Sequence, residues 1–173
     1  MRNFRFAFVL AAAVVSILIG TTWLAARSAS AASQNTDSRL LAETYQELAR
    51  ASAATAKYHN IDQALLDGYV QDGPDIPGEG FHFVKFSLVD CKFDPGTPEV
   101  LHYAYVPNEN RLQLVGVEYA VPFTCGAAKP EGFTGDADEW EYEPGGPPVW
   151  TVNAWIWLHN PNGIFASVNP LVP

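Results

Sequence analysis

The chain has little sulfur and little positive charge. Of its 173 residues one is methionine, Met1, and two are cysteine, Cys91 and Cys125. Two cysteines without C-x-x-C spacing leave no cysteine-based zinc motif and no covalent haem attachment. A methionine confined to position 1 removes the usual axial ligand of a blue-copper site. An even pair of cysteines reads instead as one disulfide, Cys91 to Cys125, suited to an oxidising compartment. Also missing are a G-x-S-x-G elbow, an H-E-x-x-H helix, a Walker loop and any internal repeat. Ser87 and Ser167 have no activating partner close in sequence, so no catalytic residue is identified and an enzymatic role stays open.

Ten Lys and Arg face nineteen Asp and Glu, and three of the ten, Arg2, Arg5 and Arg27, lie at the amino end. There, Arg2 and Arg5 precede an apolar run from Phe6 to Ile19, and Ala29-Ser30-Ala31 follows; basic, apolar and A-x-A in that order is the signal-peptide layout. Residues 1–31 are therefore expected to be a signal peptide. The alternative is an uncleaved anchor over residues 6–26, because about 20 uncharged residues also suffice to span a bilayer. Both readings put residues 32–173, one globular domain, outside the cytoplasmic membrane, in the periplasm or the extracellular medium.

That domain holds 7 basic and 19 acidic side chains, a formal charge of −12. Such a surface repels phosphate backbones and anionic lipid, which excludes nucleic acid and restricts any membrane contact to residues 6–26. The partners it favours are a metal ion, a small molecule or a protein.

The pattern after the leader changes once. Asp37 to Tyr58 carries Leu41, Tyr45 and Leu48 at helical spacing, with Asp37 or Ser38 as the expected cap. Asn60 and Gln63 mark the start of a second, short helix with Ile61, Leu65 and Leu66 on its apolar side. Residues 71–80 are turn chemistry. Phe81–Val89, Val100–Val106, Arg111–Val121 and Val149–Leu158 then read as strands, the middle two joined by a hairpin through Pro107 to Asn110. Helices first and strands afterwards predict an α+β fold, an N-terminal helical pair packed on a mainly antiparallel sheet of about four strands. Gly126 to Pro148 is a long acidic connection interrupted by Phe133, Trp140 and Tyr142, a candidate binding loop expected to dock partly on the body.

In a simple meander, His82 at the start of the first strand and His159 at the end of the last fall at one end of the sheet. His59, between the helices, could reach that end. Glu118 lies on the small, apolar side of the third strand (Leu114, Gly116, Ala120), where a carboxylate requires a partner, a metal or a raised pKa. His82, His159, His59 and Glu118 together would hold a divalent transition metal, with oxidoreductase activity as an accompanying reading. The meander leaves Glu118 nearer the disulfide end. Duller readings exist for each: His59 satisfies helix-end carbonyls, His82 opens a strand, His159 closes one, and His102 is a sheet residue. Asp136-x-Asp138 opens like a calcium loop, but Trp140 occupies the next ligand position. The alternative to a metal site is a metal-free binding module whose aromatic face, Trp155, Trp157 and Tyr103, receives a ligand beside the 126–148 loop.

Gly80-Phe81-His82, Leu114-Val115-Gly116-Val117-Glu118-Tyr119 and Trp157-Leu158-His159-Asn160-Pro161-Asn162-Gly163-Ile164-Phe165-Ala166 resemble motifs of small exported bacterial proteins of uncharacterised function. The resemblance spans about residues 55–170 and implies no activity.

Overall fold

A computed structural model describes residues 34–105 and 111–173. The expected signal peptide at 1–31 and the expected hairpin tip at 107–110 lie outside the described residues. The chain divides into two units, Met1–Ala42 and Glu43–Pro173. Residues 34–42 of the first are helical, and the second contains the remainder of that helix and the whole sheet. Among the described residues no helix is long and apolar enough to cross a membrane.

Helix α1 covers residues 34–55, so Asp37 and Ser38 lie inside it instead of capping it, and Ser38 Oγ donates to the Gln34 carbonyl one turn back. From Glu43 onward it buries Thr44, Leu48, Ala51 and Thr55, a single stripe at helical spacing. A 3-10 turn, Ala56–His59, leads to α2 (Ile61–Leu66), where Asn60 caps by accepting from Asp62 N–H. The helical pair read from the sequence is corrected here to one full helix, because α2 spans only six residues. Gly68, at φ 93°, ends it, with Tyr69 N–H bonded to the Ala64 carbonyl and Gly68 N–H to that of Leu65. Ala64 is the buried residue of α2, while Leu65 and Leu66 are exposed.

The sheet is antiparallel and has six strands, not about four, in the order β1-β2-β3-β4-β6-β5. The four expected strands are β2 (Gly80–Val84), β3 (Val100–Ala104), β4 (Gln113–Pro122) and β6 (Val149–Ala154), and they do form a meander. The two unexpected ones are its edges, β1 (Val70–Ile76) and β5 (Glu141–Glu143). Every residue of β1 is exposed, so it lacks the alternation that marks a half-buried strand, and its Pro74 is tolerated because an edge need not donate. β5 is three residues inside the acidic connection.

One face of the sheet carries Phe83, Leu101, Tyr103, Val117, Tyr119, Val121 and Val152 into the main core, where Leu48, Tyr58, Phe133, Trp140 and Phe165 cover them. The buried tyrosines place their hydroxyls on backbone carbonyls: Tyr69 on Pro98 at 2.7 Å, Tyr119 on Pro95 at 2.9 Å and Tyr103 on Tyr58 at 2.5 Å. A β-bulge interrupts β3–β4 pairing, since His102 pairs with Gly116 and Tyr103 with Leu114, leaving Val115 unmatched. The extra residue reverses parity along β4: Leu114 joins the main core, whereas Gly116, Glu118 and Ala120 turn to the second face. That second face is also covered, and β4 is buried on both sides.

Cys91 and Cys125 form the expected disulfide, with Cα atoms 5.4 Å apart and 34 residues of separation. Loop closure over that length contributes about 3–4 kcal/mol. The acidic connection docks through Asp138, whose Oδ2 accepts from Phe133 N–H at 3.1 Å and Trp140 Nε1–H at 2.9 Å. Those bonds occupy the carboxylate that the calcium-like spacing had singled out. Asp138→Ala leaves two buried donors unsatisfied and is expected to cost about 2–4 kcal/mol in urea denaturation; a loss under 0.5 kcal/mol would mean that water replaces the carboxylate.

Glu99 is buried in front of β3 and accepts from Ala120 N–H at 3.1 Å. Burial pushes its pKa up to about 8 from 4.5, against the opposing backbone hydrogen bond. Between these two values the folded chain holds a proton that the unfolded chain has released, so stability falls as pH rises through that window, by up to about 1.4 kcal/mol per pH unit. Glu99→Gln keeps an acceptor for Ala120 and cannot ionise. Its denaturation midpoint is expected to show a flatter decline than wild type from pH 5 to 8, and equal slopes would contradict the assignment.

Candidate metal centre

His82, His102 and Glu118 come from three adjacent strands and share the second face. His82 pairs with His102, His102 with Gly116, and Glu118 stands two residues beyond Gly116, opposite Val100. The three side chains each bring a ligand atom within 4.8 Å of one another, a group that could hold a metal ion. His102 is fully buried and its Nε2 lies 3.2 Å from Glu118 Oε2. His82 stacks on His102 with ring centroids 4.4 Å apart and planes at 26°. Its Nε2 lies 3.1 Å from Glu79 Oε2, within ion-pair range but out of line for a hydrogen bond, and so has no hydrogen-bond partner among the described residues.

Two glycines permit this packing. Gly80, at φ 83°, brings β2 so close to β3 that a Cβ there would run into the Tyr103 carbonyl oxygen. At Gly116 a Cβ would meet Trp155 Cε3 at 3.0 Å; its absence lets the indole approach His102 edge-on, centroids 5.5 Å apart.

Burial pushes Glu118 up, but the His102 hydrogen bond, the neighbouring His82 and the Thr151 hydroxyl outweigh it and hold the carboxyl below its ordinary value. Burial pushes His102 down and prevails over Glu118, so a neutral imidazole donates Nε2–H to an ionised carboxylate. This tautomer leaves the His102 Nδ1 lone pair without a hydrogen-bond partner among the described residues. Burial also pushes His82 down, yet Glu79, with Glu118 and Asp72 behind it, lifts it above the ordinary value.

His82 and Glu118 line a pocket of about 450 Å³, with the buried His102 behind them; the pocket also receives Asp72 from β1, Glu79 from the β1–β2 turn, and Glu141 and Glu143 from β5. A more open depression of about 520 Å³ beside the disulfide contains Lys92 and Glu131 but no imidazole, so the convergent chemistry lies in the first.

Of the residues singled out from the sequence, His82 and Glu118 meet here. His59 lies edge-on to Trp157 at 4.4 Å, and His159 is exposed and offers its carbonyl to Asn169. Tyr103 is buried in the main core, Trp155 packs with Ala104, Val115 and Val172, and Trp157 donates to Thr55 Oγ1 at 3.1 Å. β6 ends at Ala154, so strand alternation does not extend through the two tryptophans. His102 was read only as a sheet residue. The missed signal was register: the expected first strand, Phe81–Val89, ends at Val84 as β2, and that shorter strand pairs His82 with His102. No family model matches the chain, and no curated protein or solved structure matches it either.

In EDTA-treated protein the His82 imidazole is expected to titrate by NMR above 6.5, and His102 below it. Glu79→Gln should move the His82 midpoint downward. A His82 midpoint below 6.5 in the unmodified chain would remove Glu79 from its assigned role.

Proposed function

We propose that this protein is an exported domain that binds one divalent transition-metal ion through His82, His102 and Glu118. The observation that carries the reading is the convergence of two imidazoles and a carboxylate, two of the three buried, with ligand atoms within 4.8 Å of one another. A mixed nitrogen and carboxylate donor set suits zinc, iron, nickel or copper better than calcium or magnesium. The disulfide fits the oxidising compartment that export implies.

Two of the three side chains supply the charge that coordination needs, although His102 must move its proton from Nε2 to Nδ1 to ligate through the nitrogen that faces Glu118. Glu118 is held ionised and His102 neutral. His82 must lose its proton, so uptake weakens as pH falls through its raised pKa. Ligands about 2.1 Å from one ion are at most about 4.2 Å apart. An ion also lies near the plane of each imidazole it binds, which a parallel stack does not allow. Uptake therefore turns His82, the less buried ring, out of its stack and draws the widest pair of ligands together by about half an ångström.

Titration of EDTA-treated protein with Zn²⁺ by calorimetry is expected to give one equivalent per chain, and Co²⁺ should develop the visible bands of a low-coordinate nitrogen–oxygen site. Glu118→Gln and His82→Ala are each expected to weaken binding at least tenfold, roughly 1.4 kcal/mol. His59→Ala and His159→Ala should leave it unchanged. Absence of saturable uptake, or full affinity in both ligand variants, would overturn the reading.

A further inference from the structure

We propose that the pocket beside His82 and Glu118 is also a binding site for a small organic cation, an aliphatic amine carried as its ammonium ion. Five carboxylates line it, Asp72, Glu79, Glu118, Glu141 and Glu143, and neither Lys nor Arg does. Acidic side chains alone would be a solvated patch. What marks a ligand here is Asn153, which pairs with Glu118 across β4 and β6 and lines the same pocket.

Asn153 is 9% exposed, and its Nδ2 donates to the Ser167 carbonyl at 3.0 Å. Its Oδ1 is buried without a hydrogen-bond partner among the described residues. A buried acceptor left unpaired is unfavourable, and a donor supplied by a ligand recovers that cost. An ammonium group offers three donors and no acceptor, matching a wall of carboxylates and one unpaired amide oxygen.

Size separates an organic cation from a bare ion. An ion with six waters fills roughly 200 Å³ at about 30 Å³ per water. The pocket holds about 450 Å³, within the range of small-molecule sites. Val84, Val100, Val149 and Phe86 give the wall an apolar part that suits an alkyl chain. A divalent ion at the histidines does not reverse the preference, because five carboxylates outnumber its two charges. Anionic ligands are disfavoured in either state.

The inference shares Glu118 with the metal reading but does not depend on it, so its test leaves that residue untouched. Calorimetry at pH 7.5 in 150 mM NaCl on EDTA-treated full-length protein compares n-butylammonium, tetramethylammonium and butyrate. Butylammonium is expected to bind one per chain, at least tenfold more tightly than tetramethylammonium, which has the charge but no N–H donor, and butyrate not at all. The exposed double variant Glu141→Gln/Glu143→Gln, which retains the fold's contacts, should weaken butylammonium at least fivefold and leave Zn²⁺ uptake intact. Asn153→Leu should narrow the preference for butylammonium over tetramethylammonium at least threefold. Equal affinity for the two cations in the unmodified protein, or no saturable binding of butylammonium, would overturn the proposal. Zn²⁺ uptake without butylammonium binding removes this inference alone, and the reverse result removes the metal reading alone.

Discussion

The hydrogen bond between His102 and Glu118 is the constraint around which the second face of the sheet is organised. A carboxylate buried between strands, with no Lys or Arg lining its pocket, must be stabilised by dipoles and imidazoles. His102 donates from β3, Thr151 adds its hydroxyl from β6, and His82 stacks against His102 from β2. The apolar indole of Trp155 closes one side of His102 and keeps solvent from the bond, and the lack of a side chain at Gly116 makes room for it. Burial strengthens the interaction and makes it costly to disturb.

The bulge at Val115 makes this arrangement compatible with a full core on the opposite face. Without the extra residue, Leu114 and Glu118 would share one side of β4, and either a leucine would leave the core or the carboxylate would enter it. With it, Leu114 contributes to the main cluster while Gly116, Glu118 and Ala120 face the histidines. The edges complete the pocket: β1 and β5 bring Asp72, Glu141 and Glu143 around a face whose middle strands are mostly small or apolar.

Much of the frame was legible in the sequence. The disulfide followed from an even cysteine count, and the order of the four central strands is that of the simple meander supposed for them, although only the β3–β4 connection is short. Glu118 stood out because a carboxylate among Leu114, Gly116 and Ala120 conflicts with its neighbours unless it has a partner. His82 stood out by its expected position at a strand start, and because β2 is only five residues long, Gly80–Val84, it is in fact the central residue. Other features were not legible. β1 has no buried side, so no hydrophobic period marks it, and β5 is too short for one. Both faces of β4 are buried, which left its odd and even positions equally apolar and concealed the bulge.

His102 shows where the division falls. Its flanking residues, Leu101 and Tyr103, identify a strand and nothing more, and its role depends on which residues the neighbouring strands place beside it. By itself the sequence determined composition, acidity, the cysteine pair and the strand segments, because these depend on residue type and local period. The tertiary structure alone decided that His82 and Glu118 meet across His102 while His59 and His159 lie elsewhere, because side-chain convergence depends on register. A single unmatched residue in one strand reverses which face its neighbours occupy.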